Sequence, residues 1–425
     1  MKKVIDLQKI ILLVVVSLIC SCQNQEQKNK ETRETVYGIT TELTSSESVP
    51  SFEFTSDRPI EISIPKESLR LNSSEGFEVA KYLPLETNDS CLLERINNII
   101  FENDLLFILD DNEKVLTIFD HKGQFINRID RSGNGPNEYF RIGAFDVKDS
   151  LIYIYDNIKN KMHSYEFNGQ WVATKDMAVK FHVFHILPDN SYFMTTGHRQ
   201  NEFIPSIKCH DYLLGYPDSL IIRKGFLRNK ARDKLSDQVN PWEIIDYMDT
   251  ILFLPRYGQS IYQLTPDYKI KERYRILFDK PVTEEALERA DPGYLGRDIR
   301  DQGYQFLECQ WRETPEYACF SFSSHRISRN YRSAGFCFYS KKRRTVLSYN
   351  SDMMDPAFFH FMTPLTTYKD QFVSILWPNE IAERIKRSPG NNTYDPELLQ
   401  LLSKLKEDDN PVLIFFKVKE NNPLF

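Results

Sequence analysis

Residues 105–126, LLFILDDNEKVLTIFDHKGQFI, and residues 151–172, LIYIYDNIKNKMHSYEFNGQWV, align without a gap at an offset of 46 residues. Leu105 falls on Leu151, Asp110 on Asp156, Phe119 on Tyr165, and the Gly123–Gln124 turn on Gly169–Gln170. Apolar runs of strand length and the polar turns between them are both repeated, so one strand–turn unit is written twice. A period of this length is that of a β-propeller, in which each blade is an antiparallel sheet.

Strands can be followed outward from this repeat. Blade one takes INNIIFEND, LLFILDD, KVLTIFD and QFINRID; blade two takes FDVKD, SLIYIYD, KMHSYEF and QWVATKD. A third blade begins at FHVFHILPDNSYFMTTGH and ends near DSLIIRKG, and a fourth reads EIIDYMD, TILFLPR, SIYQLTPD and KIKERYRIL. The fifth runs from YQFLECQW through EYACFSF and AGFCFYS to RTVLSYN. The last, FHFMTPLTTYKD, QFVSILWP and PVLIFFKVK, lacks an outer strand, while FEVAKYLPLE at Phe77–Glu86 has no other partner. The expected fold is therefore a single all-β six-bladed propeller over residues 57–425, its N- and C-terminal strands sharing the closing blade, which removes the sheet edges. Short helical insertions are expected at about 283–300 and 379–408. The second has Asp395 as N-cap, Pro396 in the first turn, and Leu398, Leu402 and Leu405 on one face, read as packing on the propeller rim.

Lys2 and Lys3 precede the apolar run IILLVVVSLI, which is too short to span a bilayer and ends in ICSC. Residues 1–21 read as a lipoprotein signal peptide with cleavage before Cys22, the lipidation site. Residues 22–56 are rich in Gln, Glu, Lys, Ser and Thr and read as a flexible tether. The partner implied is a membrane, reached through acyl chains, and the compartment is the outer membrane of a cell envelope. A net charge of −6 argues against nucleic acid as a partner, and SKKRRT at Ser340–Thr345 sits where a hairpin turn is expected.

The segment SGNGPNEY, Ser132–Tyr139, lies between the first two blades. Gly133 and Gly135 permit positive φ, Pro136 fixes φ, and Glu138 and Tyr139 are placed to tie the crossing down by hydrogen bonds. No Lys–Ser/Thr pair or helix follows, which disfavours a phosphate-binding loop. The lipobox, the YLPLET strand, the FDHKGQF turn and this GxGPxEY crossing together resemble the six-bladed β-propeller lipoproteins of Gram-negative gut commensals, a family similar in turn to NHL-repeat propellers. The resemblance covers Phe77 to about Gly197 and has Asn137 where the family often has Gly. It implies an envelope propeller and transfers no catalytic residue.

Chemistry is sparsely signalled. None of the 8 histidines forms a compact metal motif, there is no GxSxG elbow, and the strand-ending Asp110, Asp111 and Asp156 fit turns. Catalytic residues and cofactors are therefore not predicted. Candidate binding residues are His182, His185, Arg199 and His360 near inner strands, and Arg326, Arg329 and Arg332 in HRISRNYRS, a hairpin tip. His182 and His185, three apart on a strand, face opposite sides. If EYACFSF pairs with AGFCFYS, Cys319 and Cys337 face each other, either as a disulfide or as two buried thiols. The preferred function is a non-catalytic binding or assembly scaffold for a glycan, peptide or protein partner, motivated by aromatic-rich loops that include Trp171, Trp242, Trp311 and Trp377. The alternative is an envelope hydrolase or lyase with a metal ion at the central channel; for it, the NHL-like resemblance implies a histidine from an inner strand, His182, His185 or His360.

Overall fold

The computed structural model of the chain describes residues 49–419, except 66–75, 111–113, 197–200, 202–203, 205–206, 208–209, 229–243, 249, 292–294, 309, 329–330, 351–363 and 388–393. The signal peptide, Cys22 and most of the tether lie outside the described residues, as do Asp111, Arg199, Cys209, Trp242, Cys309, Arg329 and His360.

Six sheets form a ring of blades. From the centre outward, blade one is Ile96–Glu102, Leu105–Asp110, Val115–Asp120 and Phe125–Ile129; blade two is Ile142–Lys148, Leu151–Asp156, Lys161–Glu166 and Trp171–Asp176. Blade three has Val183–Ile186, Tyr192–Thr195, His210–Tyr216 and Ile221–Arg228, and blade four Ile244–Tyr247, Thr250–Phe253, Ser260–Leu264 and Ile270–Leu277. Blade five is Arg312–Glu313, Tyr317–Ser328, Tyr331–Ser340 and Thr345–Asn350. In blade six, Val412–Val418 pairs with Gln371–Leu376 on one side and with Phe77–Pro84 on the other, so the two ends of the propeller share a sheet; Thr366–Tyr368 is its inner strand.

The middle strands are apolar without alternation because neighbouring blades cover both faces of each sheet. Leu106, Phe107, Ile108 and Leu109 are all buried, yet Leu106 and Ile108 pack towards blade six while Phe107 and Leu109 pack towards blade two. Hairpins at the same repeat position use the same left-handed conformation, at Asn103 and Asp104 in blade one and at Asp149 and Ser150 in blade two. Gly123 carries φ +80° and lies so close to the end of the closing strand that a Cβ would stand 2.3 Å from Pro84 O. Only glycine meets both demands.

The crossing at Ser132–Tyr139 is held by its own side chains. Gly135 N–H donates to Glu138 Oε2 (2.7 Å), Tyr139 Oη donates to Ile129 O (2.9 Å), and Gly133 N–H donates to Tyr139 O (2.9 Å). Lys159 Nζ adds bonds to Gly133 O and Glu138 O, tying the crossing to the next blade.

Three features differ from expectation. Residues 49–56, expected as the end of the tether, instead lie along blades three and four: Phe52 is buried between them and Ile270 N–H donates to Glu53 O. Ile60–Ser63 continues this strap as a fifth, parallel strand on Ile270–Leu277. Second, the inner strand of blade five is the two-residue Arg312–Glu313, whereas Leu307 only bridges Phe322 and donates its N–H to Gly258 O in the preceding blade. Third, Cys319 and Cys337 are two buried thiols, one of the two readings, but they do not face each other. Cys319 is opposite Phe338 and Cys337 opposite Phe320, so the register places the two sulfurs on opposite faces of the sheet. Burial raises both thiol pKa values, that of Cys337 to about 12.

Four short helices occur among the described residues. α1 (Glu284–Arg289), capped by Thr283, and α2 (Leu295–Asp301) lie between blades four and five. α3 (Pro378–Arg387) and α4 (Pro396–Leu402) interrupt blade six. Asp395 caps α4 by accepting Glu397 N–H at 2.9 Å, and Leu398, Leu402 and Leu405 pack on the apolar seam between blades five and six. No described helix is long and apolar enough to cross a membrane.

Candidate functional site

The inner strands of all six blades line a cavity of about 170 Å³ at the ring's axis. Four of them place an ionisable side chain on it: Asp146 from blade two, His185 from blade three, Asp246 from blade four and Arg312 from blade five, the first three close together. His185 Nδ1 stands 3.0 Å from Asp246 Oδ1 and 3.5 Å from Asp146 Oδ2. Each of these three residues lies on its blade's inner strand, close to the first hairpin. Asp146 pairs with Tyr153, His185 with Phe193 and Asp246 with Ile251, all across the first hairpin.

Asp146 is set firmly, its side chain only 5% exposed. Val147 N–H donates to its Oδ1 (2.9 Å) and Ile186 N–H to its Oδ2 (2.8 Å), so the carboxylate also links blades two and three. Asp246 keeps 52% of its side chain open and His185 26%. Burial raises the Asp146 pKa, and the His185 charge only partly offsets this. For Asp246 burial also works upward, but His185 outweighs it and the net direction is down. Burial opposes the imidazolium of His185, yet Asp246 and Asp146 beside it push its pKa up to about 9. Across the channel lies Arg312, whose guanidinium donates to Leu365 O (2.5 Å) and Trp311 O (2.7 Å). Burial lowers its pKa to about 10.

A second, larger pocket of about 580 Å³ opens at the seam of blades one and six. Phe101, Tyr368 and Phe415 form its aromatic wall, with ring centroids 4.7 Å apart for Phe101–Tyr368 and 6.0 Å for Phe101–Phe415. Its rim carries Lys81, Glu102, Asp104 and Lys369. Lys81 Nζ donates to His121 O (2.8 Å) and sits over the Phe415 ring; burial lowers its pKa. Phe101 lines both this pocket and the channel cavity.

Of the residues singled out from sequence, His185 lines the channel. His182 precedes the inner strand, donates its N–H to Thr195 O (2.8 Å) and is not among the residues lining the cavity. Arg326 and Arg332 pair across a hairpin of blade five through their backbones. Arg199, Arg329 and His360 lie outside the described residues. The three described tryptophans do not form a binding face: Trp311 is fully buried and Trp377 half-buried, leaving Trp171 exposed.

Asp146 and Asp246 escaped sequence reasoning. A signal existed for the first: in the 46-residue repeat Asp146 falls on Ile100, an aspartate where the sister blade has an apolar residue.

The profile of a family described as "Domain of unknown function (DUF4934)" matches residues 59–417. A search among curated proteins finds no match. Among solved structures, a Bacteroides fragilis protein predicted to be exported is similar with a TM-score of 0.69 at 19% identity, covering 85% of this chain and 100% of that one. A member of the DUF4221 family from Bacteroides vulgatus aligns over 82% of this chain and 99% of its own, with a TM-score of 0.46 and 12% identity.

Proposed function

The chain belongs to the DUF4934 family, whose description names no activity, and from its own side chains we propose a non-catalytic binding scaffold of the cell envelope. Acyl chains on Cys22 hold it to the outer membrane, and the polar segment that follows sets the propeller at a distance. The predicted export of the similar Bacteroides fragilis protein supports the coarser part of this reading, a place in the cell envelope.

The observation that carries the reading is the seam pocket, about 580 Å³ with an aromatic wall and a rim of both charges. A volume of this size accepts a few sugar rings or a peptide turn. Aromatic faces supply stacking area at low entropic cost, and the rim supplies hydrogen bonds that fix orientation. A glycan or peptide of the envelope is the expected occupant.

The test is a screen of envelope glycans and peptides against the purified chain, followed by titration of the best binder. Replacing Tyr368 with Ala is expected to weaken binding at least about tenfold, the loss of one well-placed aromatic contact, with little change in melting temperature. Undiminished binding in Tyr368→Ala would move the site away from this seam.

A further inference from the structure

We infer that Asp146, His185 and Asp246 hold one divalent transition-metal ion at the centre of the ring. The inference is independent of the seam pocket and stands on geometry, donor type and charge. A carboxylate and an imidazole bound to one ion by bonds of about 2.1 Å have donor atoms about 3.0–3.4 Å apart. Here the imidazole nitrogen lies 3.0 Å and 3.5 Å from the two carboxylate oxygens, and the three donor atoms all lie within 4.8 Å of one another.

The surroundings match. Asp146 has its two oxygens oriented by the N–H groups of Val147 and Ile186, the outer hydrogen bonding that fixes a ligating carboxylate. Two carboxylates and one imidazole make an anionic donor set, with Asp146 shut off from water, and a dication matches that set beside Arg312, which also lines the cavity. Three protein donors leave coordination positions open. The adjoining cavity, about 170 Å³, has room for waters to fill them. One nitrogen with two oxygens favours ions of intermediate hardness such as Zn²⁺ over Ca²⁺, which takes oxygen alone. The donors also come from three separate blades, so the ion would pin the inner strands Ile142–Lys148, Val183–Ile186 and Ile244–Tyr247 to one another.

The full-length chain, purified in detergent and stripped by chelator dialysis, is titrated calorimetrically with Zn²⁺, with Ca²⁺ and separately with Co²⁺, whose visible absorption reports its ligands. The expected result is one ion per chain, with Asp246→Asn and His185→Gln each weakening binding at least about 100-fold and altering the Co²⁺ spectrum. His182→Gln, off the channel just before the start of the same strand, binds as the unaltered chain does. Circular dichroism and a melting curve establish the fold of each variant. Should His185→Gln fail to fold, Asp246→Asn, isosteric and half open to the channel, carries the test. The proposal is overturned by an absence of stoichiometric Zn²⁺ and Co²⁺ binding, by unchanged affinity in Asp246→Asn, by equal weakening in His182→Gln, or by binding of Ca²⁺ alone.

Discussion

Asp110 and Asp156 occupy the same place in two blades and hold the backbone that arrives from the preceding one. Asp110 Oδ2 accepts the N–H groups of Glu94 (2.5 Å) and Arg95 (3.2 Å); Asp156 Oδ2 accepts that of Phe140 (2.6 Å), while its Oδ1 accepts those of Ile158 and Lys159 in the turn that follows. Both are fully buried. The turn role is legible in the sequence because an aspartate closing a strand caps the next N–H groups. The crossing role is not, because Phe140 lies 16 residues away and reaches Asp156 only when the chain closes a blade. Hydrogen bonds to a charged acceptor contribute about 1.5–3 kcal/mol, and stranded buried donors add to the loss. Asp156→Ala is therefore expected to lower unfolding free energy by about 3 kcal/mol, measured as a fall in the urea midpoint at unchanged slope. A midpoint within error of the unaltered chain would show that the crossing is held by the Lys159 bonds instead. The channel residues illustrate the same limit. Asp146, His185 and Asp246 meet because successive inner strands meet, and no local pattern encodes that approach.

Among elements, the shortest strand anchors one seam. Arg312–Glu313 contributes only two residues to blade five, yet Glu313, with a fully buried side chain, gathers four donors. Arg273 Nη2 (2.8 Å) and Tyr274 Oη (2.9 Å) reach it from blade four, Lys341 Nζ (2.6 Å) from a turn of its own blade, and Trp311 Nε1 (3.0 Å) from two residues earlier. Arg273 and Lys341 also lie over the Tyr247 ring at 5.1 and 4.8 Å. Such an arrangement specifies how two blades meet more than it adds net stability, since burying the charges offsets much of their attraction. Removing one partner is different. Glu313→Ala leaves two cations facing each other in a closed seam and is expected to cost about 3–5 kcal/mol, read from the urea midpoint. A loss below about 1 kcal/mol would mean that water replaces the carboxylate freely. Sequence reading placed the inner strand earlier, in the more apolar YQFLECQW, because apolar periodicity marks strands and a two-residue strand has none. Register in the next hairpin was beyond reach for a related reason. A slip of one residue exchanges faces, which separates Cys319 from Cys337.

At the scale of the molecule, closure and the N-terminal strap make separable contributions. The six-blade count is legible because every blade needs apolar middle strands, and the missing outer strand of blade six points to Phe77–Pro84 as its only complement. The strap has no such signature: IEIS is short, and parallel pairing carries no hairpin turn to announce it. Deleting residues 1–64 removes Phe52 (5% exposed) and Ile62 (1% exposed) from the seams flanking blade four, along with the parallel ladder on Ile270–Leu277. At about 1.5–3 kcal/mol for each buried side chain, a loss of about 3–6 kcal/mol is expected, with one cooperative transition retained. Deleting residues 412–425 acts on topology. It removes the strand between Gln371–Leu376 and Phe77–Pro84, so the outer strand loses its partner, two sheet edges open, and the apolar seams on both sides of blade six lose Val412, Leu413, Ile414, Phe415 and Phe416. Among the described residues no other strand pairs with Phe77–Pro84, so the backbone ladder that joins the two ends is lost. The C-terminal deletion is expected to abolish cooperative urea unfolding, while the N-terminal one shifts it. Equal, modest shifts in both would show that five blades and a remnant close without the shared sheet, and that the ring is held by its seams alone.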